Sequence, residues 1–502
     1  MSKLNPLKQL AGQTAIYGLS SVLARILNFL LVPFYTRIFV DTAEYGIINE
    51  LYAYVAFVII ILTYGMETAF FRFASRYRDS SLVFSTSLIS VLMTSVAFAV
   101  IIIFFHPLFA RMTGYEEYGI FILLLGLVLS LDAAAALPFA RLRFENQALK
   151  FALIKLFNIC ANIFFNLFFL VFLPWLISSN YSFPLLEALY FPELRVGYVF
   201  VSNLLASFFT LLFFVRDIAG GLYHYSFRLF RKMIAYSFPL LIAGLAGTVN
   251  EVIDRIMLRH RLPADVNALE EIGIYGANIK IAVLMTLFIQ MFRYAFEPFV
   301  FSQEKSAHSR ELYAQVLNYF TIFGVLVFLG ITLYIDIFQF IIGPEYREGL
   351  KIVPIVLLGN LMLGIYFNLS VWYKLKGITL FGAFFALSGA LVTIGVNYFF
   401  IPAYGYMASA WAHFLAYAFM VVLAYIAGRY YYPIPYNLMK LLFYIGSGVF
   451  LFIFASVFKI EDIFYRLSFN TLLILIFALM VFLKERKAAA GIFISDKGRQ
   501  SD

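Results

Sequence analysis

Long apolar runs, each close to the length that crosses a bilayer, recur from near Gly12 to near Phe482 with only short polar breaks between them. A hydrocarbon core about 30 Å thick takes ~20 residues of helix. On that measure the pattern predicts fourteen transmembrane helices, at about 13–39, 46–66, 82–105, 118–140, 150–173, 196–216, 234–258, 272–296, 314–335, 349–372, 378–401, 404–427, 437–458 and 463–484. Lys3 and Lys8 precede the first run in the manner of a signal peptide, but that run is too long and is interrupted by Arg25. It is therefore expected to stay as the first span.

The pattern also repeats. The first span reads Ala15-Ile16-Tyr17-Gly18 and reaches Thr36-Arg37-Ile38-Phe39 before Tyr45-Gly46. The seventh reads Ile234-Ala235-Tyr236-Ser237 and reaches Asp254-Arg255-Ile256-Met257 before Tyr275-Gly276. Six spans separate the copies, so both run in the same direction, as parallel repeats about an axis along the membrane normal do. The expected fold is an all-α integral membrane protein with two six-helix lobes and two further C-terminal helices. Its divisions are 1–216 for the first lobe, 217–232 for a linker, 233–427 for the second lobe, and 428–502 for the last two spans and a tail.

Composition agrees, with 63% hydrophobic and 13% charged residues in 502, which no water-soluble globule could bury. Clusters such as Tyr430, Tyr431, Tyr432 and Tyr436 fall where spans leave the membrane and read as interfacial belts. Cys160 is the only cysteine, which excludes a disulfide framework or a thiolate metal site. The net charge of +9 does not point to nucleic acid, because its placement follows topology. Segments on the side of the termini carry about 23 Lys and Arg against about 8 in the alternate loops, so the positive-inside rule puts both termini in the cytoplasm. The remaining cations, Arg25, Arg37, Lys155, Arg255, Lys280 and Arg293, fall within spans.

The Tyr17 to Gly46 segment, the span exit Leu137-Pro138-Phe139-Ala140-Arg141-Leu142-Arg143 and the Asp254-Arg255-Ile256-Met257 sequence resemble the oligosaccharide flippases, the polysaccharide-transporter branch of the multidrug/oligosaccharidyl-lipid/polysaccharide exporter superfamily. The resemblance covers essentially the whole chain. It implies alternating access between inward-open and outward-open states, and movement of undecaprenyl-diphosphate-linked sugars of an O-antigen, capsule or exopolysaccharide pathway across a bacterial inner membrane. It also implies that the two extra helices form a groove for the lipid tail.

An isolated cation at mid-bilayer costs ~2.5–3.5 kcal/mol on insertion scales, so such cations face a cavity, a partner or a ligand. Arg25 lies near the middle of the first span with Asn28 one turn on. Its guanidinium could replace the hydration of a diphosphate with bidentate hydrogen bonds, or it could pair with a carboxylate; both readings stand. Glu251 with Arg255, and Asn250 with Asp254, are spaced i, i+4 as mutually neutralising pairs. Arg255 has a repeat mate in Arg37, so the two, with Glu251 and Asp254, are candidates for an outer gate or an anion clamp. Lys280 is a further candidate for contact with the cargo, while Arg293 is expected to pair with Glu297.

Lys155, Asn158, Asn162 and Asn166 form a polar stripe on the fifth span, either a packing seam or a wall that meets sugar hydroxyls. Packing is favoured for Asn166, and cargo contact for Asn158 and Asn162. Asp132 is the best acid for coupling to protons or sodium, unless it only pairs with Arg25. His413 reads as an interior hydrogen-bonded residue. No cofactor or metal is expected.

No GxxxxGK[ST] loop or HExxH motif occurs. A membrane glycan polymerase or ligase would need a substantial outer loop with acid and base groups, and the longest here, about 174–195, offers only Glu187, Glu193 and Arg195. A drug exporter of the same superfamily should prefer an acidic cavity, whereas lipid II stays open as cargo. Expected partners are the lipid-linked oligosaccharide, membrane lipid and a polymerase or ligase of the same pathway.

Overall fold

The computed structural model describes residues 22–179, 190–222, 224–303, 308–458 and 460–499. Those residues build an all-helical membrane fold. Twelve helices are long and apolar enough to cross a membrane, from Thr42–Ala74 to Ile463–Arg486. The pair Gly197–Leu212 and Val215–Gly221, bent by 57°, makes a thirteenth if counted as one span. Each of these falls on one of the expected spans from the second to the fourteenth. The first expected span lies partly outside the described residues; within them it is helical at 22–29 and over Leu31–Ile38.

Local chemistry marks the ends of the helices. Asp41 accepts from the Ala43 amide at 2.9 Å, and Asp79 from the Ser81 and Leu82 amides at 3.0 and 3.1 Å, so each caps the helix it precedes. Gly114 closes Ser80–Thr113 in the left-handed region at φ 74, the conformation glycine adopts most cheaply. A second left-handed pair, Tyr64 at φ 34 and Gly65 at φ 69, breaks Thr42–Thr63 from Met66–Ala74.

The described residues fall within two compact units, Met1–Ala277 with Gly382–Ser409 and Asn278–Phe381 with Ala410–Asp502. In the first, Ser80–Thr113 packs along Gly119–Phe144, and Gly197–Leu212 lies against both Gly119–Phe144 and Ala148–Leu167. Small residues let these backbones approach. A Cβ on Gly126 would sit 2.5 Å from Ile102, and the buried hydroxyls of Ser87, Ser90 and Ser95 turn inward to carbonyls four residues back. The helix Phe227–Arg261 belongs to this unit and packs against Thr42–Thr63. In the second unit Ser309–Leu333 is the hub, flanked by Val353–Leu369, Leu438–Val457 and Ile463–Arg499. Phe104 and Leu391 stay 73% and 72% exposed, as lipid-facing side chains should.

Within the first unit, Thr42–Thr63 and Ala268–Gln303 cross at their N-terminal ends with no side chain between them. A Cβ on Gly46 would lie 1.9 Å from the Leu269 carbonyl oxygen, and one on Gly273 would lie 1.9 Å from the Thr42 carbonyl oxygen. Glycine and carbonyl exchange roles across the crossing, as two repeat-related helices would. Gly46→Val and Gly273→Val are each expected to wedge the helices apart at a cost of roughly 1–3 kcal/mol, read as a lower thermal midpoint of the purified protein. Gly330→Ala, where open space surrounds the added Cβ, should leave the midpoint unchanged. Equal midpoints for all three variants would refute the crossing.

Candidate functional site

The first unit carries a chain of charged and hydroxyl groups through its interior. Phe227–Arg261 supplies Asn250, Glu251, Asp254, Arg255 and Arg259 on successive turns. Asp254 and Arg255 are buried, at 4% and 8% exposure. Arg255 donates to Asp254 Oδ1 at 3.3 Å and to the Glu251 main-chain carbonyl at 2.8 Å, while the Tyr275 hydroxyl donates to the other oxygen of Asp254. The expected side-chain pair of Arg255 with Glu251 is therefore corrected. The long arginine folds back along its own helix, and its immediate neighbour meets it first.

Glu251 is exposed, and its carboxylate lies in the fields of both Arg25 and Arg255. Arg25 and Asn28 are exposed as well. Among the described residues Arg25 makes no hydrogen bond or direct ion pair, and the Glu251 carboxylate acts on it at a distance. Asn250 does not pair with Asp254. It donates to the Ala386 carbonyl at 3.0 Å and accepts from the Thr393 hydroxyl at 3.0 Å. Asn397 and Ser409 extend this neutral network, with Ser409 donating to Asn397 Oδ1 at 2.7 Å.

Arg37 mirrors Arg255. Its Nη1 donates to the Pro33 carbonyl four residues back at 2.8 Å, the distance and spacing found at Arg255 and Glu251. Arg37 and Arg255 thus each bond the carbonyl four residues back on their own helix.

A second charged group lies on Gly119–Phe144 and Ala148–Leu167. Asp132 accepts from the Ser207 hydroxyl at 2.7 Å and faces the ammonium of Lys155, so its neighbouring cation is Lys155 and not Arg25. Lys155 sits 4.3 Å over the Phe139 ring and also feels Glu67 and Arg143, which pair with one another. Arg143, Glu67, Lys155 and Asp132 thereby alternate in sign from one end of the unit toward its middle. Both Asp132 and Lys155 are accessible. Charged groups at mid-span that are accessible, yet answered by opposite charge from other helices, line a polar interior face.

The asparagine stripe beside Lys155 joins helices. Asn158 donates to the Thr210 hydroxyl at 2.9 Å. Asn166 donates to the Asn162 carbonyl at 2.8 Å and accepts from the Tyr35 hydroxyl at 2.9 Å, while Asn162 Oδ1 also accepts from Asn166 at 3.0 Å. These bonds hold Ala148–Leu167 to Gly197–Leu212 and Leu31–Ile38, and Asn158 and Asn162 remain half-buried beside Lys155.

The sequence reading missed Glu50. Its side chain is fully buried, its Oε2 accepts from the Tyr115 hydroxyl at 2.6 Å, and Arg259 Nε lies 3.8 Å from the same oxygen. A lone acid one turn inside an otherwise apolar span was the available signal.

In the second unit, Lys280 is half-buried. The Arg293 guanidinium lies 4.0 Å over the Phe367 ring. The Glu297 side chain lies outside the described residues. His413 hydrogen-bonds Asn360 Oδ1 at 3.1 Å, and Asn360 donates to the Ala282 carbonyl. Among the described residues no group of three His, Cys, Asp or Glu could hold a metal ion.

A family model described as polysaccharide biosynthesis protein matches residues 10–303. No curated protein matches the chain in sequence. Among solved structures, the lipid II flippase MurJ in an inward closed conformation superposes with a TM-score of 0.72 at 16% identity, covering 93% of this chain and 99% of that one. An inward-facing multidrug resistance transporter of the MATE family and MOP superfamily gives 0.61 at 12% identity over 83% and 94%. A MOP superfamily transporter from Pyrococcus furiosus, described as having a binding pocket of reverse polarity, gives 0.54 at 13% over 84% and 94%. These likenesses show a shared fold.

A double-mutant cycle separates the two possible partners of Asp132. Asp132→Asn with Lys155→Met is expected to show a stability coupling of at least ~0.5 kcal/mol, and Asp132→Asn with Arg25→Met to be additive within that figure. The reverse outcome would favour Arg25 as the partner, the alternative that the sequence left open.

Proposed function

Because the chain belongs to the polysaccharide biosynthesis protein family, we propose that it is a flippase that moves undecaprenyl-diphosphate-linked oligosaccharide across the bacterial inner membrane by alternating access. The observation that carries this reading is the pair of accessible cations, Arg25 and Lys155, each balanced by a carboxylate that it does not bond. A diphosphate needs donors that replace its water, and a guanidinium supplies several in one plane. Glu251 and Asp132 act as resident counter-ions that keep the empty site neutral and yield to the cargo.

By the distribution of Lys and Arg, the end holding Glu67 and Arg143 faces the cytoplasm and the end holding Asp41, Gly46 and Arg259 faces outward, with both termini inside. The head group then enters past Arg143, meets Lys155, and reaches Arg25 near mid-depth. Asn158 and Asn162 offer amides for sugar hydroxyls beside that route, and Lys280 serves the cargo from its own unit. Arg37, Arg255, Glu251 and Asp254 belong to the outer gate. The expected lobes, 1–216 and 233–427, remain the moving bodies of this scheme. Asp132, with Lys155 as exchangeable partner, holds the coupling proton or sodium ion. The likeness to a lipid II flippase supports a second cargo with the same diphosphate chemistry.

Arg25→Ala is expected to abolish translocation in reconstituted vesicles while leaving membrane abundance intact, and normal export would remove Arg25 from the mechanism. Supplying undecaprenyl-diphosphate glycan and lipid II in parallel distinguishes the two cargoes. Transport should collapse when the proton or sodium gradient is dissipated and be indifferent to ATP. Asp132→Asn should weaken the ion dependence, and an unchanged dependence would leave Asp132 as a structural partner of Lys155.

A further inference from the structure

Glu50 is a fully buried acid of the first unit that the scheme above does not use, and its setting is unusual. The residue has 0% exposure on the helix Thr42–Thr63. One oxygen, Oε2, takes the Tyr115 hydroxyl at 2.6 Å and stands 3.8 Å from Arg259 Nε. The other, Oε1, is buried with no hydrogen-bond partner. The ionisable groups that face it are Tyr115 from the turn after Ser80–Thr113, Arg259 from Phe227–Arg261, and Tyr54 on its own helix. His260 reaches it only through the Tyr54 hydroxyl, 3.4 Å away.

Arg259 ties three elements together at this point. Its guanidinium lies 5.7 Å over the Tyr115 ring, donates to the Gly114 carbonyl at 3.4 Å, and faces Glu50. The arginine side chain is 25% exposed, so solvent reaches the cluster from the Arg259 side while Glu50 itself is sealed. The neighbouring glycine crossing of Gly46 and Gly273 closes the same end of the unit. A hydroxyl donor and a cation favour the carboxylate, whereas a sealed oxygen with no donor favours the acid. Two opposed demands on one buried carboxyl make it a switch.

We propose that Glu50 is a proton-binding site that latches and releases the outer closure, a reading that rests on the sidedness of the flippase scheme and adds a site to it. Ionised, Glu50 holds Arg259 and Tyr115, and with them the helix Phe227–Arg261 against Thr42–Thr63. A proton arriving from the outer side binds Oε1, the cluster gains one positive charge, and Arg259 loses its counter-ion and leaves with its helix. The sign follows: closure persists where Glu50 is ionised and is lost as the external pH falls through its titration. The latch re-forms only when Glu50 gives that proton up again.

The test is cysteine accessibility in a Cys160→Ser background. Gly247→Cys, one turn from Glu251 where a Cβ meets open space, reports entry to the interior. Labelling by a membrane-impermeant maleimide added outside is normalised to Asp265→Cys, an exposed loop position. Labelling is expected to rise at least about fivefold as the external pH is lowered stepwise from about 8 to about 4. Adding Glu50→Gln should give the high level at every pH, and so should Arg259→Gln, which guards against a folding defect peculiar to one variant. Tyr115→Phe removes a donor to the carboxylate and should move the midpoint to higher pH. Parental, pH-dependent labelling in Glu50→Gln or in Arg259→Gln would overturn the latch. High labelling in the parent at all pH values would overturn the outward placement instead. The readout needs no cargo, so failure of the glycan reading in a transport assay leaves this result standing.

Discussion

Everything in this protein is arranged around the cost of holding charge inside hydrocarbon. That cost forces each intramembrane ion to find an opposite charge, an aromatic face or a backbone carbonyl, and the solutions differ along the chain. Arg255 is solved locally by Asp254 and the Glu251 carbonyl, and Arg37 by the Pro33 carbonyl. Lys155 is solved by a ring and by two carboxylates it does not touch. Glu50 is solved by groups from two other elements. The first solution is bonded within a single helix, while the other two depend on groups supplied by other elements.

The close helix crossings make the distant solutions possible. Gly46 and Gly273 bring two backbones into direct contact, and Gly276 presses on the Asn49 side chain one residue before Glu50. With a side chain at these positions the two helices would stand farther apart at the end where Arg259 reaches Glu50. Backbone proximity and the ionic contact are therefore one closure seen at two levels.

The spans from the second to the fourteenth were legible because twenty apolar residues in a row have few alternatives, and the helix breaks follow from Asp caps and left-handed glycines that the sequence displays. The partners of charged residues were not legible. Asp132 sits with Lys155 because Gly119–Phe144 packs near Ala148–Leu167, a tertiary fact that no spacing encodes, and i, i+4 arithmetic failed for Arg255 because the adjacent Asp254 was nearer. Glu50 looked like the polar edge of a span. Its importance depends on Tyr115 and Arg259, which lie 65 and more residues away along the chain.

A transporter's ions face a constraint that a structural ion pair does not. A cation bonded tightly to its own carboxylate would have to break that pair before taking a diphosphate, and one with no carboxylate near would bind the diphosphate too well to let it go. Arg25 and Lys155 stand between these limits, with charge answered and donors unsatisfied. On the proposed function, the carboxylates would recover their cations as the cargo leaves, and the residues that neutralise the empty site would also assist release. On that proposal, selectivity for an anionic head group, neutrality of the empty site in a low-dielectric surround and turnover would come from one arrangement, a cation and an acid held near but apart.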